Sequence, residues 1–234
     1  MKTKTIKLLF VALLGMMSLS SCLKDNNNDL INVPQGAFTM MNAYTPTPAV
    51  RYLFDNKYTD HIAYKSYVSA LAYAGKRRIS IVSTNNELIV DTLYSIKNGA
   101  YYTSFVYGTG KKAKHIITQD SLLKDLGNTN AGLRFLHLAE NTDKVNVYFN
   151  SKETPIFKDR AVQDPILTEE NIKDTWFQPG VSGMQNIIVT DANNNTLLER
   201  KFEFKAGKYY TISLVGDKNK TNTPLYIGVL EQYK

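Results

Sequence analysis

Gly75-Lys-Arg-Arg-Ile-Ser-Ile-Val-Ser-Thr-Asn-Asn-Glu-Leu-Ile-Val-Asp-Thr-Leu-Tyr-Ser-Ile-Lys-Asn-Gly-Ala-Tyr-Tyr-Thr-Ser-Phe-Val-Tyr-Gly108 decides the fold, because the chain writes it twice. Laid over Gly183–Gly216 at a constant offset of 108, it is identical at Ile79/Ile187, Asn85/Asn193, Asn86/Asn194, Lys97/Lys205, Gly99/Gly207, Tyr101/Tyr209, Tyr102/Tyr210, Thr103/Thr211 and Gly108/Gly216. A second gapless block places Phe38–Lys57 over Leu133–Lys152 at an offset of 95, keeping Val50/Val145, Phe54/Phe149 and Lys57/Lys152. The offsets differ by 13, an insertion in the second copy between the two blocks. Two gapless blocks in the same order indicate a duplicated unit.

Each unit is written in strands. Val50, Tyr52 and Phe54 alternate with Arg51, Leu53 and Asp55, the period of two that a pleated strand requires. Ile79–Ser83, Asn85-Asn86 and Leu88–Tyr94 form a hairpin signal, since Asn tolerates the positive φ of a tight turn. The second copy repeats it around Asp191-Ala-Asn-Asn-Asn195. In the Lys-x-Gly-x-Tyr-Tyr-Thr element, Gly99 or Gly207 supplies the turn and the tyrosines open the next strand. Short strands at regular spacing predict an all-β chain of two tandem immunoglobulin-like antiparallel β-sandwich domains. The expected boundaries are 37–118 for the first, 119–130 for a linker, and 131–234 for the second with its insertion near 153–175. Only Thr168–Asp174, inside the insertion, reads as a helical turn, with Thr168 as its N-cap.

Upstream of these units the chain reads as a processing signal. Lys2, Lys4 and Lys7 precede the apolar run Leu8–Met17, which is short for a membrane-spanning anchor. It ends in Leu19-Ser20-Ser21-Cys22, and Cys22 is the one cysteine of the 234 residues. This resembles the bacterial lipobox, in which small residues fit the signal peptidase and the thiol takes a diacylglyceryl group. The resemblance implies a 1–21 lipoprotein signal peptide, lipidation at Cys22 with diacylglycerol and palmitate, and a flexible tether over 22–36. Several acyl chains on one Cys supply the multiple-chain anchoring that a single chain does not. Lys24-Asp25 and the following Asn-rich run resemble, in part, the export tag of surface lipoproteins in Bacteroidota; a plain spacer fits as well. Leu23 stands where enteric bacteria use Asp for inner-membrane retention, so the expected location is the outer membrane, with exposure at the cell surface.

Composition narrows the function classes. At 43% hydrophobic, 11% aromatic and 21% charged, the chain carries enough apolar material for one large or two small cores. Its formal net charge of +7 falls to +4 once Lys2, Lys4 and Lys7 are removed, and no dense basic run appears beyond Lys76-Arg77-Arg78 and Lys111-Lys112, both near turns, so nucleic acid is not an expected partner. One Cys and three scattered His, at 61, 115 and 137, predict no metal or cofactor site.

At the second block the sequence resembles a known family, the domain-of-unknown-function 4397 family of bacterial envelope lipoproteins. Its signature is an apolar strand ending near His-Ala-Ser-Pro, a polar loop, and Val-Asp-Val-Tyr-Val-Asn-Gly. Here this reads Leu133-Arg-Phe-Leu-His-Leu-Ala-Glu-Asn-Thr-Asp-Lys-Val-Asn-Val-Tyr-Phe-Asn150, and Gly207-Lys-Tyr-Tyr-Thr211 is similar to the family's later turn-and-strand. In the first copy Asn42 stands where the second has His137. The resemblance implies a duplicated immunoglobulin-like sandwich and brings no catalytic residue.

The remaining candidates are weighed by their chemistry. His137 ends a strand before a loop, where function often sits, but a hydrogen-bonded pin that Asn42 could replace is the plainer role. Gly180-Val-Ser-Gly183 lacks the spacing of a nucleophile elbow, and Asp191–Asn195 lacks the Gly and distal Glu of a calcium loop. Alternation places Tyr102 and Tyr210 in the cores and gathers Tyr101, Phe105 and Tyr107 on the other face. That stripe is either a ligand or partner platform or packing against the other domain. Asp91-Thr92 and Asp120-Ser121 match the Asp-Ser/Thr-apolar acceptor pattern of Bacteroidota O-glycosylation, making Ser121 and Thr92 candidates. No convergent nucleophile, base or metal set is evident, so an enzyme is not expected. The expected function is a non-catalytic, lipid-anchored binding or adhesion module for an envelope protein or glycan. The alternative is a structural or assembly subunit of an envelope complex.

Overall fold

The structure, a computed structural model, describes residues 33–111 and 113–232; Cys22, the signal segment and most of the tether lie outside the described residues. Pro34–Lys234 form one compact unit. Its first half carries β1 (Gln35–Tyr44), β2 (Ala49–Phe54), β3 (Lys57–Tyr58), β4 (Ile62–Ala63), β5 (Tyr67–Tyr73), β6 (Gly75–Ser83), β7 (Leu88–Ile96), β8 (Tyr101–Gly108) and β9 (Lys114–Gln119). Its second half carries β10 (Asn130–His137), β11 (Val145–Phe149), β12 (Phe157–Arg160), β13 (Gln178–Val181), β14 (Gly183–Thr190), β15 (Thr196–Phe204), β16 (Tyr209–Val215) and β17 (Tyr226–Glu231).

The strands form four sheets that pack as two sandwiches. The first pairs sheet β5-β1-β8-β9 with sheet β3-β2-β6-β7, in which β4 also pairs with β2; the second pairs β13-β10-β16-β17 with β12-β11-β14-β15. Strand for strand, the order in the second half repeats that of the first. The sheets are not purely antiparallel as expected: β1 runs parallel to β8, and β10 to β16. The chain leaves β1 for the opposite sheet and returns through it before laying down β8, so no hairpin constrains that pair's direction.

The hairpin signal holds in both halves. Asn86 and Asn194 take φ of +61° and +64°, and their amides donate to Ser83 O and Asp191 O at 3.1 Å. The register slips at the same place, between Ile81 and Val82 in β6 and between Val189 and Thr190 in β14. The Lys-x-Gly-x-Tyr-Tyr element is explained by one bond made twice. The Tyr102 hydroxyl accepts the Lys97 amide at 2.9 Å, and the Tyr210 hydroxyl accepts the Lys205 amide at 3.1 Å. Each ring thus enters its core and pins the turn held open by Gly99 (φ +70°) or Gly207 (φ +73°).

The inward faces build two separate cores. Phe38, Tyr52, Ile79, Ile81 and Tyr102 fill the first, and Leu133, Phe135, Val147, Ile187 and Tyr210 fill the second. The segment read as a helical turn is shorter than expected, a 3-10 turn over Ile172–Thr175. Thr168 still acts ahead of it, its hydroxyl accepting the Asn171 amide at 3.3 Å.

A third apolar layer joins the sandwiches. Met41, Ala43, Phe105, Tyr107 and Ile116 of the first pack on Leu136, Leu138, Val215 and Leu230 of the second. At its polar centre Arg134, fully buried, pairs with Asp120 at 2.7 Å. Its other donors reach Thr211 Oγ1 (2.7 Å), Thr118 Oγ1 (3.1 Å), Thr103 Oγ1 (2.9 Å) and Thr175 O (3.2 Å), while Phe177 lies 4.4 Å below the guanidinium. The Gln232 amide completes the set, its nitrogen donating to Thr103 Oγ1 (2.9 Å) and its oxygen accepting from Thr211 Oγ1 (2.5 Å). The stretch read as a linker is packed too: Leu126 lies buried with Phe177 and Tyr209, and the Tyr209 hydroxyl donates to Leu123 O at 2.9 Å.

Candidate functional site

A cleft of about 610 Å³ opens between the end strands of the first sandwich, β5 on one sheet and β3 on the other. Local sequence explains its rim. β2 and β3 are joined by the two-residue turn Asp55-Asn56, both at positive φ (+48° and +69°), the conformation that suits a tight hairpin. Asp55 then holds the turn in place, accepting the Arg78 amide and Arg77 Nη1, each at 3.0 Å. The Arg78 amide, with help from Arg77, draws the Asp55 carboxyl below its ordinary range.

Arg77 is in turn fixed, donating to Tyr73 O (3.1 Å) and Ala74 O (2.6 Å). Phe54 and Val68, half-buried against the first core, are the apolar parts of the lining. Tyr58 and Tyr73 stand at the mouth, 59% and 44% exposed. Lys57 Nζ sits 5.6 Å from the Tyr73 ring centre, and the Arg51 guanidinium 4.6 Å from that of Tyr58. Such a surface offers aromatic rings, a polar rim and an apolar floor, the ingredients of a binding cleft.

In the second sandwich the corresponding mouth is filled by the chain itself. Opposite Val147 stands Phe157, 4% exposed and 5.8 Å from Phe135. Gln178 Nε2, on the end strand of the other sheet, donates to Ile156 O at 3.0 Å and ties the two edges together. Arg160 secures the insertion through Phe135 O at 2.9 Å and Asp174 O at 2.5 Å. Opposite Tyr52, the first sandwich has only Thr59, whose amide donates to Tyr52 O at 2.8 Å.

The sequence candidates fall elsewhere. Phe105 and Tyr107 are fully buried in the layer between the sandwiches, and the Tyr107 hydroxyl donates to Gln163 O at 2.7 Å. They are therefore packing residues and offer no outer surface, which corrects the platform alternative; Tyr101, at the strand's start, is half-buried. His137 is 1% exposed, its Nε2 donating to Asp143 O at 3.1 Å, and burial pushes its pKa down to about 4. Asn42 likewise bonds a neighbouring segment, through Nδ2 to Ile62 O of β4 at 3.0 Å. Ser121 is exposed, but the Asp120 before it is locked in the Arg134 network; Thr92 is half-buried within β7, beside the Asp91 that binds Arg78. The Asp191 carboxylate is occupied by its own loop, accepting the Asn193 and Asn195 amides at 2.9 Å.

One juxtaposition escaped the sequence reading. Tyr52 OH, Ser104 Oγ and His115 Nε2 form a chain of contacts at 3.0 and 2.7 Å. Ser104 is fully buried, and desolvation lowers the His115 pKa to about 4, so this chain ties two sheets together inside the core. Among the described residues no group of three His, Cys, Asp or Glu is placed to hold a metal ion.

Comparison with known families agrees with the resemblance seen in the sequence. Residues 37–148 match the family described as Domain of unknown function (DUF4397), a span that begins within β1 and ends within β11. A search of curated proteins gave no match.

Proposed function

We propose that this chain is a non-catalytic, lipid-anchored protein of the bacterial outer membrane, built from two tandem copies of one sandwich unit. In this reading the first copy binds an envelope protein or glycan in its open cleft. The repeated strand order, register slip and Tyr102/Tyr210 pin support the duplication. Leu19-Ser-Ser-Cys22 supports the anchor.

One observation carries the binding role: the mouth between β3 and β5 is open in the first copy, while Phe157 and the insertion fill its counterpart in the second. A mouth that one copy fills with its own chain is a place where apolar contact is available, and in the first copy Tyr58 and Tyr73 stand exposed at its rim.

The test is retention of envelope components from solubilised membranes by the full chain and by its Tyr58→Ala/Tyr73→Ala variant, paired with a glycan array. The proposal expects retention to fall in the variant while its thermal midpoint stays within a few degrees of wild type. Equal retention by both proteins would remove the cleft from the binding role.

A further inference from the structure

We infer that the outer edge of β5 is a strand-addition site, taking an extended segment of a partner protein as a fifth strand on its four-stranded sheet. This rests on the cleft reading above and names the chemistry of its occupant. The backbone gives the first reason. Two bonds flanking the β1–β5 ladder, Asn42 N to Ser66 O (3.0 Å) and Ala74 N to Pro34 O (2.8 Å), fix which residues face β1. In an antiparallel pair the bonded positions alternate, so Val68, Ala70 and Ala72 turn their peptide groups toward β1. Tyr67, Ser69, Leu71 and Tyr73 turn theirs to the open side. Arg77 takes the Tyr73 carbonyl at 3.1 Å, which closes the row at that end. Tyr67, Ser69 and Leu71 are left presenting N–H and C=O groups in the spacing a new strand needs.

Edge protection gives the second reason. Exposed edges are ordinarily blunted by charge, proline, shortness or bulges. Among the described residues, each of the other seven strands that end a sheet carries a charged residue or, in β13, Pro179. Tyr67-Val-Ser-Ala-Leu-Ala-Tyr73 has neither, and its pairing to β1 runs unbroken over seven positions. It is a seven-residue, unbroken, uncharged edge.

Side-chain space gives the third. An added strand sends alternate side chains to opposite faces. On the inner side of the edge, the large cleft runs past Val68, Ala70 and Ala72. On the outer side, a depression of about 150 Å³ is lined by Ala37, Ser69 and Leu71. The small residues at 70 and 72 leave room on the inner side, and Phe157 in the second sandwich indicates the size of side chain the space accepts. The fitting ligand is a peptide with an uncharged centre, alternating a large apolar or aromatic residue with a small polar one.

The test uses the full chain in detergent micelles with a pool of synthetic heptapeptides alternating Phe or Val with Thr, beside a glycan array. Amide hydrogen exchange of the wild-type protein is read residue by residue. Strand addition predicts that the tightest peptide slows exchange at the Ser69 and Leu71 amides by about tenfold or more, the effect of one formed hydrogen bond or better. Leu71→Pro, which removes an outward N–H and leaves the β1 ladder intact, weakens that peptide about tenfold, whereas Leu71→Thr changes it less than about threefold. Peptide binding that leaves both amides unprotected overturns the inference, as does glycan binding at Tyr58 with unchanged amide exchange; the cleft reading survives either result. Loss of the cleft reading itself is marked differently, by partner retention indifferent to the Tyr58→Ala/Tyr73→Ala change.

Discussion

Arg134 of the second sandwich and Asp120 at the end of the first meet at 2.7 Å with both side chains out of solvent, and every remaining donor of the guanidinium is spent on a hydroxyl or carbonyl around it. Burying an ion pair is costly, and removing one partner strands the other charge. Asp120→Ala should lower unfolding free energy by about 3–5 kcal/mol in urea titration. Replacing both, as Arg134→Met with Asp120→Leu, should recover much of that loss, because two apolar groups leave no orphaned charge.

The layer around that pair also makes the two sandwiches one folding unit. Phe105→Ala opens a cavity between sheets of different sandwiches and should cost about 3–5 kcal/mol. Fluorescence and far-ultraviolet dichroism should still report a single coincident transition. Two resolved transitions in wild type would mean that the sandwiches unfold independently.

Acid should destabilise the fold through His137. Its Nε2 already carries the proton given to Asp143 O, and its buried Nδ1 has no partner, so a second proton would place an unmatched charge inside. The folded value of about 4 lies below the ordinary 6.5, with desolvation the leading cause. Stability is therefore complete above about pH 6.5 and declines as pH falls toward 4, by on the order of 3 kcal/mol for this group. His137→Asn, borrowing the residue that the first sandwich has at Asn42, should flatten that part of the stability–pH curve. An unchanged acid slope would assign the effect to other groups.

The paired tyrosine pins predict equal and independent effects. Tyr102→Phe and Tyr210→Phe each leave one amide, Lys97 or Lys205, without its acceptor, and each should cost about 1 kcal/mol. The double variant should lose the sum, since the two turns lie in different sandwiches.

Strands, hairpins and the glycine turns were legible because they depend on neighbours in sequence: Asn86 and Gly99 declare their φ angles by residue type. The Arg134–Asp120 pair was not. Alternation places Arg134 opposite Leu133 and Phe135, which reads as a solvent face; only the arrival of the other sandwich makes that face an interior. The same event turned Phe105 and Tyr107 from a possible platform into packing. The cleft was hidden for a related reason, since Tyr58 and Tyr73 lie on different strands brought together only by the sandwich. Its one sequence signal was the extra segment of the second half, read as an insertion although it also marks what the first sandwich lacks.

The most direct test places a photocrosslinking amino acid at position 58, and separately at position 184 on the second sandwich, in the full chain expressed in intact cells. Adducts to a discrete envelope component are expected from position 58, and none of the same mass from position 184. The same adducts from both positions, or none from position 58, would contradict the cleft reading.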